Sequence, residues 1–257
     1  MPRPVRVSLA GGCYHVLNRG NGRHEVFHKE EDYNAFLNLI GDACERLPMR
    51  VLAYCLMPNH FHLALQPFNK GDLSRWMQWL TTSHVRRYHR HYQSSGHVWQ
   101  DRYKSFPIQA DDHMYIVLRY IERNPLRANL VKRSQDWTWS SLRWWGRRDR
   151  PTYLTDGPMT RPSDWVRRVN RLETDAELEA VRRSTNRSAP FGSNAWQARS
   201  AARHALQSTL RPRGRPKFRW WAKRKFRRRR RLGFGGGPQT DYKPSRSKTR
   251  ACSSVGW

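Results

Sequence analysis

Acidic residues are scarce in this chain of 257 residues. It holds 20 aspartates and glutamates against 49 lysines and arginines, so its formal net charge is +29 and its pI is about 11.2. Such a charge creates a field that attracts polyanions, and nucleic acid is the polyanion that strongly basic proteins are expected to bind. The composition therefore indicates a nucleic-acid-binding protein.

Long apolar segments and paired cysteines are also lacking. No uninterrupted apolar run reaches 18 residues, and neither a lipidation signal nor a secretory signal peptide is visible. We therefore predict a cytoplasmic protein that does not bind membranes. Because no cysteine pair has Cys-x-x-Cys spacing, neither a zinc ribbon nor a disulfide framework is expected. The four cysteines are Cys13, Cys44, Cys55 and Cys252.

The positive charge is greatest at the C-terminal end but is not confined to it. Residues 211–257 contain 17 lysines and arginines and one acidic residue, Asp241. Residues 1–210 still carry a net charge of +13. The body of the protein is thus basic in its own right, which favours nucleic-acid binding by more than the tail alone.

The amino-acid composition of the sequence changes near residue 150 and again near residue 218. Helices are expected within residues 161–183 and around Ala195–Leu206, whereas the last segment combines five consecutive arginines with a glycine-rich run. We predict three parts, which are a domain over residues 1–150, a basic and partly helical extension over 151–217, and a disordered arginine-rich tail over 218–257.

Hydrophobic periodicity in the first 125 residues indicates four strands and three helices. The strands are predicted over residues 12–19, 51–56, 60–66 and 99–109, and the helices over 32–47, over 72–92 and from Asp111 or Asp112 to Ile121. The resulting order β-α-β-β-α-β-α is typical of an α+β protein with a ferredoxin-like antiparallel sheet and helices on one face.

Two histidines stand out in the segment Met57–Leu63, which has the sequence MPNHFHL. Side chains alternate between the faces of a strand, so His60 and His62 point the same way and lie about 7 Å apart. Two imidazoles at this spacing are suitable ligands for one divalent metal ion. The alternative is an ordinary structural pair, because His-x-His also arises by chance among 11 histidines.

A second motif, YIERNP, follows at residues 120–125. Tyr120 and Asn124 are four residues apart and therefore share a face of the predicted helix. A phenol and an amide beside a metal pair suggest a site for phosphoryl transfer. The ordinary interpretation is that Tyr120 packs in the core and that Asn124 and Pro125 end the helix.

These motifs occur together in an arrangement that resembles a known family. The chain resembles the REP-associated tyrosine transposases, which are single-tyrosine HUH transposases of the bacterial insertion-sequence type. The resemblance is carried by GCYHV at residues 12–16, MPNHFH at 57–62, WQDRY at 99–103, YIERNP at 120–125 and WTWSS at 137–141. It spans roughly residues 8–145 and does not reach residues 218–257.

The resemblance implies a fold, a cofactor and a reaction. The fold would be that of the HUH endonucleases, with Mg²⁺ or Mn²⁺ bound by His60 and His62 and its ligand shell completed by Asn124. Tyr120 would be the nucleophile that forms a 5′-phosphotyrosine link and frees a 3′-hydroxyl. The substrate would be single-stranded DNA, expected as hairpin-forming repeats, and a monomer is favoured over a homodimer.

Two pairs of basic residues are further predicted to contact DNA. Arg102 and Lys104 lie in or beside the last predicted strand, among aromatic residues on which unpaired bases can stack. Arg213 and Arg215 belong to the segment RPRGRPK, which has the form of an AT-hook for a narrow minor groove. A basic linker rich in proline and glycine is the alternative interpretation of that segment.

Two other functions remain open on the same motifs. One is a DNA-binding regulator that keeps the transposase fold without catalysis, and the intact set of His60, His62 and Tyr120 argues against it. The other is a relaxase or replication-type nickase. The single tyrosine block and the absence of a third histidine in register disfavour that alternative.

Overall fold

The computed structural model describes residues 8–211, which form one compact unit. Arg213, Arg215 and the predicted disordered tail lie outside the described residues. Seven elements build the first part of the fold in the predicted order. They are β1 (Cys13–Arg19), α1 (Glu30–Arg46), β2 (Met49–Met57), β3 (His60–Pro67), α2 (Asp72–Tyr92), β4 (Lys104–Ile108) and α3 (Asp112–Glu122).

The four strands form one sheet in the order β2-β3-β1-β4, and each pair of neighbours is antiparallel. This order confirms the predicted α+β class with a ferredoxin-like sheet. Antiparallel register places residues of neighbouring strands directly opposite one another, with their side chains on the same face. The sheet thus fixes which side chains of distant segments can meet.

Helices α1 and α2 lie on one face of the sheet as predicted, whereas α3 covers the opposite face, which the sequence did not predict. Helices α1 and α2 pack, for example, against Val16 and Leu63, whereas α3 packs near Ala53 and Ala64. Strand β2 is buried without alternation from Val51 to Met57. A strand that is apolar at both odd and even positions needs cover on both sides.

Local signals explain most element boundaries. Helix α2 has the predicted bounds, and α3 begins where the Asp111 carboxylate accepts a hydrogen bond from the His113 backbone amide. Helix α1 begins at Glu30, two residues before the expected cap; Asp32 instead accepts a hydrogen bond from the His28 amide. Strand β4 covers only the end of its predicted range.

Residues after 150 pack against the same sheet through short helices. Helix α4 (Asn124–Arg127) directly follows α3, and the helices after residue 150 are α5 (Trp165–Asn170), α6 (Asp175–Arg187), α7 (Asn194–Arg203) and α8 (Gln207–Leu210). The segment at Leu154 forms a parallel bridge with Val51 at the β2 edge, and Phe191 forms one with Ile108 at the β4 edge. Trp165 is buried in the core on the α3 face. No helix among residues 8–211 is both long and apolar enough to cross a membrane.

Candidate active site

The turn between β2 and β3 positions the two predicted histidines. Its two residues are held by backbone hydrogen bonds, because the Pro58 carbonyl accepts from Val26 and Phe27 and the Asn59 carbonyl accepts from Gly20. The rings of His60 and His62, which follow in β3, have centroids 5.0 Å apart. The structure therefore brings both imidazoles to one face of the sheet, as strand alternation predicts.

A third histidine, His15 of β1, contacts the pair. Its Nε2 lies 2.9 Å from Nδ1 of His62, and the two rings are stacked with centroids 5.0 Å apart. His60 is held differently, since its Nδ1 lies 2.6 Å from the amide oxygen of Asn59. In each ring of the pair the Nδ1 atom is thus engaged, and Nε2 is the nitrogen left for a further ligand.

The three imidazoles are neutral near pH 7. Burial, together with the nearby charges of Arg19 and Arg127, lowers the pKa of His60 to about 3. Burial also lowers the pKa of His15 to about 3 and holds the pKa of His62 well below its ordinary value. A neutral imidazole keeps the nitrogen lone pair that metal coordination requires.

Tyr120 lies over this cluster. It is 8% exposed, near the end of α3, and its ring centroid is 5.8 Å from that of His62 and 6.2 Å from that of His15. Val117 and Ile121, on the same helix, are buried in the sheet-facing core and fix the helix in place. The structure therefore brings the predicted nucleophile and the predicted metal ligands together.

Asn124 follows one turn later and is buried. Its amide nitrogen donates to the Tyr120 carbonyl oxygen at 3.1 Å, and its Oδ1 accepts a hydrogen bond of 2.9 Å from Arg127. An amide oxygen has two lone pairs, so this bond leaves one of them for another partner. Among residues 8–211, no group of three or more histidine, cysteine or acidic side chains is arranged to hold a metal ion.

Two arginines near the site were not predicted from the sequence. Arg19 lies opposite His60 in the sheet register, and its charge helps to lower the pKa of His60. Arg127 stacks on the ring of Tyr120. Alternation along β1 could have shown that His15 and Arg19 share a face of the sheet. Only the register between β1 and β3 shows that this is also the face of His60 and His62.

The predicted DNA contacts occupy two different places. Lys104 pairs with Leu17, which in turn pairs with His62, so these three residues form one row on the site face. Two strand spacings separate Lys104 from His62, or about 10 Å. Arg102 is exposed in the preceding loop and lines a groove that also includes Trp99.

Known proteins share the part of the chain that carries this site. A family model described as an IS200-like transposase matches residues 9–124. A protein of Haemophilus influenzae strain Rd, named as a REP-associated tyrosine transposase, is 30% identical over 123 residues, which span 43% of this chain and 69% of the relative. The class is therefore that of the tyrosine transposases. Within it, the chain belongs to the REP-associated tyrosine transposases, a family of DNA strand-transfer enzymes.

Two solved structures align with the chain. The structure of a REP-associated tyrosine transposase bound to a REP hairpin aligns with a TM-score of 0.49 at 20% identity, over 68% of this chain and all of that one. A transposase structure from Deinococcus radiodurans aligns with a TM-score of 0.35 at 20% identity, over 47% and 96% of the two chains. Family membership rests on the sequence relative rather than on these alignments.

Proposed function

We propose that this protein cuts and rejoins single-stranded DNA through a covalent link to Tyr120. The observation that supports this most directly is that the Tyr120 ring lies 5.8 Å from the ring of His62, on the sheet face shared with His60. Membership of a strand-transfer family agrees with this arrangement. We assign the site to residues 1–150 and the extension after them to a supporting role.

The proposed reaction exchanges one phosphate ester for another. The Tyr120 hydroxyl oxygen forms a bond to phosphorus, the bond from phosphorus to the 3′-oxygen breaks, and that oxygen takes up a proton while the phenolic proton passes to solvent. The new 5′-phosphotyrosine retains the ester, so a later attack by another 3′-hydroxyl reseals the strand without ATP. Holding the phenol against the sheet supplies proximity.

A divalent metal ion, Mg²⁺ or Mn²⁺, is proposed at His60 and His62, with Asn124 as a further ligand. The residues fit such an ion because both imidazoles are neutral and each has its Nδ1 atom engaged by a neighbour. When bound, the ion would act as a Lewis acid on the scissile phosphate. The Oδ1 atom of Asn124 accepts a hydrogen bond from Arg127, and its second lone pair would complete the set of ligands around the ion.

The proposed substrate is single-stranded DNA next to hairpin-forming repeats, bound by a monomer. Lys104 lies on the site face, and Arg102 lines a groove beside an aromatic side chain, an arrangement suited to phosphates and unpaired bases. Arg213 and Arg215 would add minor-groove contacts. The net charge of +29 supports DNA of either form as the partner.

Covalent trapping tests the proposal. Labelled hairpin oligonucleotides incubated with the protein and Mn²⁺ are expected to give an SDS-resistant adduct that disappears with EDTA, with Tyr120→Phe and with His60→Ala. Tyr115→Phe is the matched control, because Tyr115 lies on the same helix but donates its hydroxyl to the Thr160 carbonyl. Binding without an adduct would identify a regulator, and cleavage that survives Tyr120→Phe would identify a hydrolytic nuclease.

A further inference from the structure

A guanidinium group lies on the ring of the proposed nucleophile. The Cζ atom of Arg127 is 4.2 Å from the centre of the Tyr120 ring. Its Nη2 donates both to the Tyr120 carbonyl oxygen at 3.2 Å and to Oδ1 of Asn124 at 2.9 Å. One planar cation thus contacts the face of the phenol, the backbone that carries it and the neighbouring amide, which leaves the ring little freedom to rotate.

Arg127 is itself anchored from a distant part of the chain. Its Nη1 donates to Oε2 of Glu173 at 2.6 Å, and that carboxylate is only 5% exposed. Nε of Arg123 lies 3.6 Å from the same oxygen. An ion pair this buried has a defined geometry, and removing one partner leaves a buried charge without compensation. Glu173 therefore determines where the Arg127 guanidinium lies.

The segment around Glu173 is held by the helix that follows it. Thr174 is the N-cap of α6, where its hydroxyl accepts from the Glu177 amide while the Glu177 carboxylate accepts from the Thr174 amide. This reciprocal capping box fixes the entry of the chain into the helix. The anchor is thus built into an ordered turn of the extension.

We infer that Arg127 is a positioning residue for Tyr120 and that Glu173, from the extension, is its anchor. Arg127 holds the phenol ring at its observed angle of 89° to the ring of His62, and Glu173 keeps Arg127 in that place. The extension beyond residue 150 is then part of what makes the nucleophile competent. The catalytic consequence rests on the proposed function, whereas the effect on the ring does not.

Arg119, which lies on the same helix α3 as Tyr120, provides a matched control. Its Nη2 donates to the carbonyl oxygens of Arg171 and Leu172, so it docks α3 to the same segment of the extension. These hydrogen bonds go to the segment and not to the ring of Tyr120 or the amide of Asn124. If docking of the segment alone mattered, loss of Arg119 would have the same consequences as loss of Arg127.

The first experiment observes the ring without any reaction. Protein labelled with 3-fluorotyrosine gives fluorine signals for its ten tyrosines, and the Tyr120 signal is the one absent from Tyr120→Phe. We expect Arg127→Gln and Glu173→Ala to shift or broaden the Tyr120 signal. Glu173→Gln should change the signal less, because its amide oxygen can still accept the hydrogen bond from Arg127. Arg119→Gln should leave the signal in place. An unchanged signal in Arg127→Gln overturns the inference, whether or not the protein cleaves DNA.

The second experiment measures the rate of adduct formation in a single turnover at saturating hairpin DNA, together with DNA affinity and urea unfolding. Misplacement of a reacting group costs about tenfold to a hundredfold in rate, so we expect that loss in Arg127→Gln with affinity nearly unchanged. Arg127→Lys should not restore the rate, because an ammonium group cannot reproduce the planar fork.

The double variant completes the test of the anchor. If Glu173 acts through Arg127, Glu173→Ala combined with Arg127→Gln should be no slower than Arg127→Gln alone. If the rate of adduct formation falls in proportion to the loss of unfolding free energy in both Arg119→Gln and Arg127→Gln, Arg127 is not a positioning residue. Absence of any adduct in the wild type would instead reject the proposed function, and the fluorine spectra would still decide the present inference.

Discussion

His15 and His62 are joined by a hydrogen bond of 2.9 Å between Nε2 of the first ring and Nδ1 of the second. The two residues come from neighbouring strands, β1 and β3, and burial lowers the pKa of each ring, so both are neutral near pH 7. A partner on Nδ1 fixes both the orientation and the tautomer of a metal-binding histidine. His15 therefore determines which nitrogen of His62 faces the site.

We expect His15→Ala to weaken Mn²⁺ binding about tenfold to a hundredfold, the usual effect of removing the partner of a liganding histidine. His15→Gln should lose less, because its amide can still reach Nδ1 of His62. Isothermal titration with Mn²⁺ measures the change, and His91→Ala, at an exposed position on α2, is the control. Equal affinity in His15→Ala and the wild type would remove His15 from the site.

Arg102 and Lys104 are expected to contact DNA phosphates. Each contact to single-stranded DNA adds about 0.7 to the slope of log affinity against log salt, because a bound counterion is released. Arg102→Gln and Lys104→Gln should therefore each lower that slope by about 0.7. Binding titrations at several salt concentrations give the slope. The control is Arg183→Gln, at an exposed position on α6, which should leave the salt slope unchanged. If Arg102→Gln and Lys104→Gln also leave the slope unchanged, these two residues do not contact DNA phosphates.

The Asp32 carboxylate should stabilise the fold at neutral pH and lose this effect in acid. Burial raises the pKa of its carboxyl, but hydrogen bonds from Tyr92, Arg87 and the His28 amide outweigh burial, and the net pKa lies below the ordinary value. A lowered folded-state pKa stabilises the protein above the unfolded-state pKa, and this contribution is lost as pH falls through the folded value. Asp32→Asn should cost about 1–3 kcal/mol near pH 7.

Urea unfolding at pH 7 and at pH 3 measures this contribution. The difference in unfolding free energy between the wild type and Asp32→Asn should shrink at the lower pH, because the unfolded-state carboxyl binds a proton there while the pKa of the folded-state carboxyl is held below the ordinary value. Asp42→Asn is the control, since Asp42 is exposed on the same helix α1. A difference that is the same at both pH values would show that the charge of Asp32 does not matter.

Glu122 is expected to hold the extension on α3. Its buried carboxylate accepts hydrogen bonds from the Ser141 hydroxyl at 2.6 Å and from the Trp165 indole at 2.7 Å, and the Arg161 guanidinium lies 3.4 Å away. Glu122→Gln replaces one acceptor oxygen by a donor, which leaves a donor unpaired and should cost about 1–3 kcal/mol.

Hydrogen exchange locates that loss. Amides of Trp165–Asn170 should exchange faster in Glu122→Gln, while amides of β3 remain protected, because only the docking of the extension is weakened. Glu179→Gln, at an exposed position on α6, is the matched control. Unchanged protection of Trp165–Asn170 would mean that the remaining contacts suffice.

Local patterns predicted the order of the elements, the bounds of α2 and the common face of His60 and His62. Each of these depends on periodicity within a few residues. The contact of His15 with His62 depends on the register between β1 and β3, and the pair of Arg127 with Glu173 joins residues 46 apart in a chain rich in alternative charged partners. No local pattern contains that information. The cover on both faces was readable from the unbroken apolar run of β2.

The bridges at Val51 and at Ile108 have a consequence for association. The Val51 amide donates to the Tyr153 carbonyl oxygen, and the Val51 carbonyl accepts from the Thr155 amide. At the other edge, Phe191 donates to the Pro107 carbonyl and accepts from the Gln109 amide, and on β2 the Leu56 amide donates to the Trp139 carbonyl as well. An edge strand with unpaired backbone groups can pair with a strand of another chain. Here the polypeptide bonds to its own sheet edges at those positions, so a second copy cannot add a strand there.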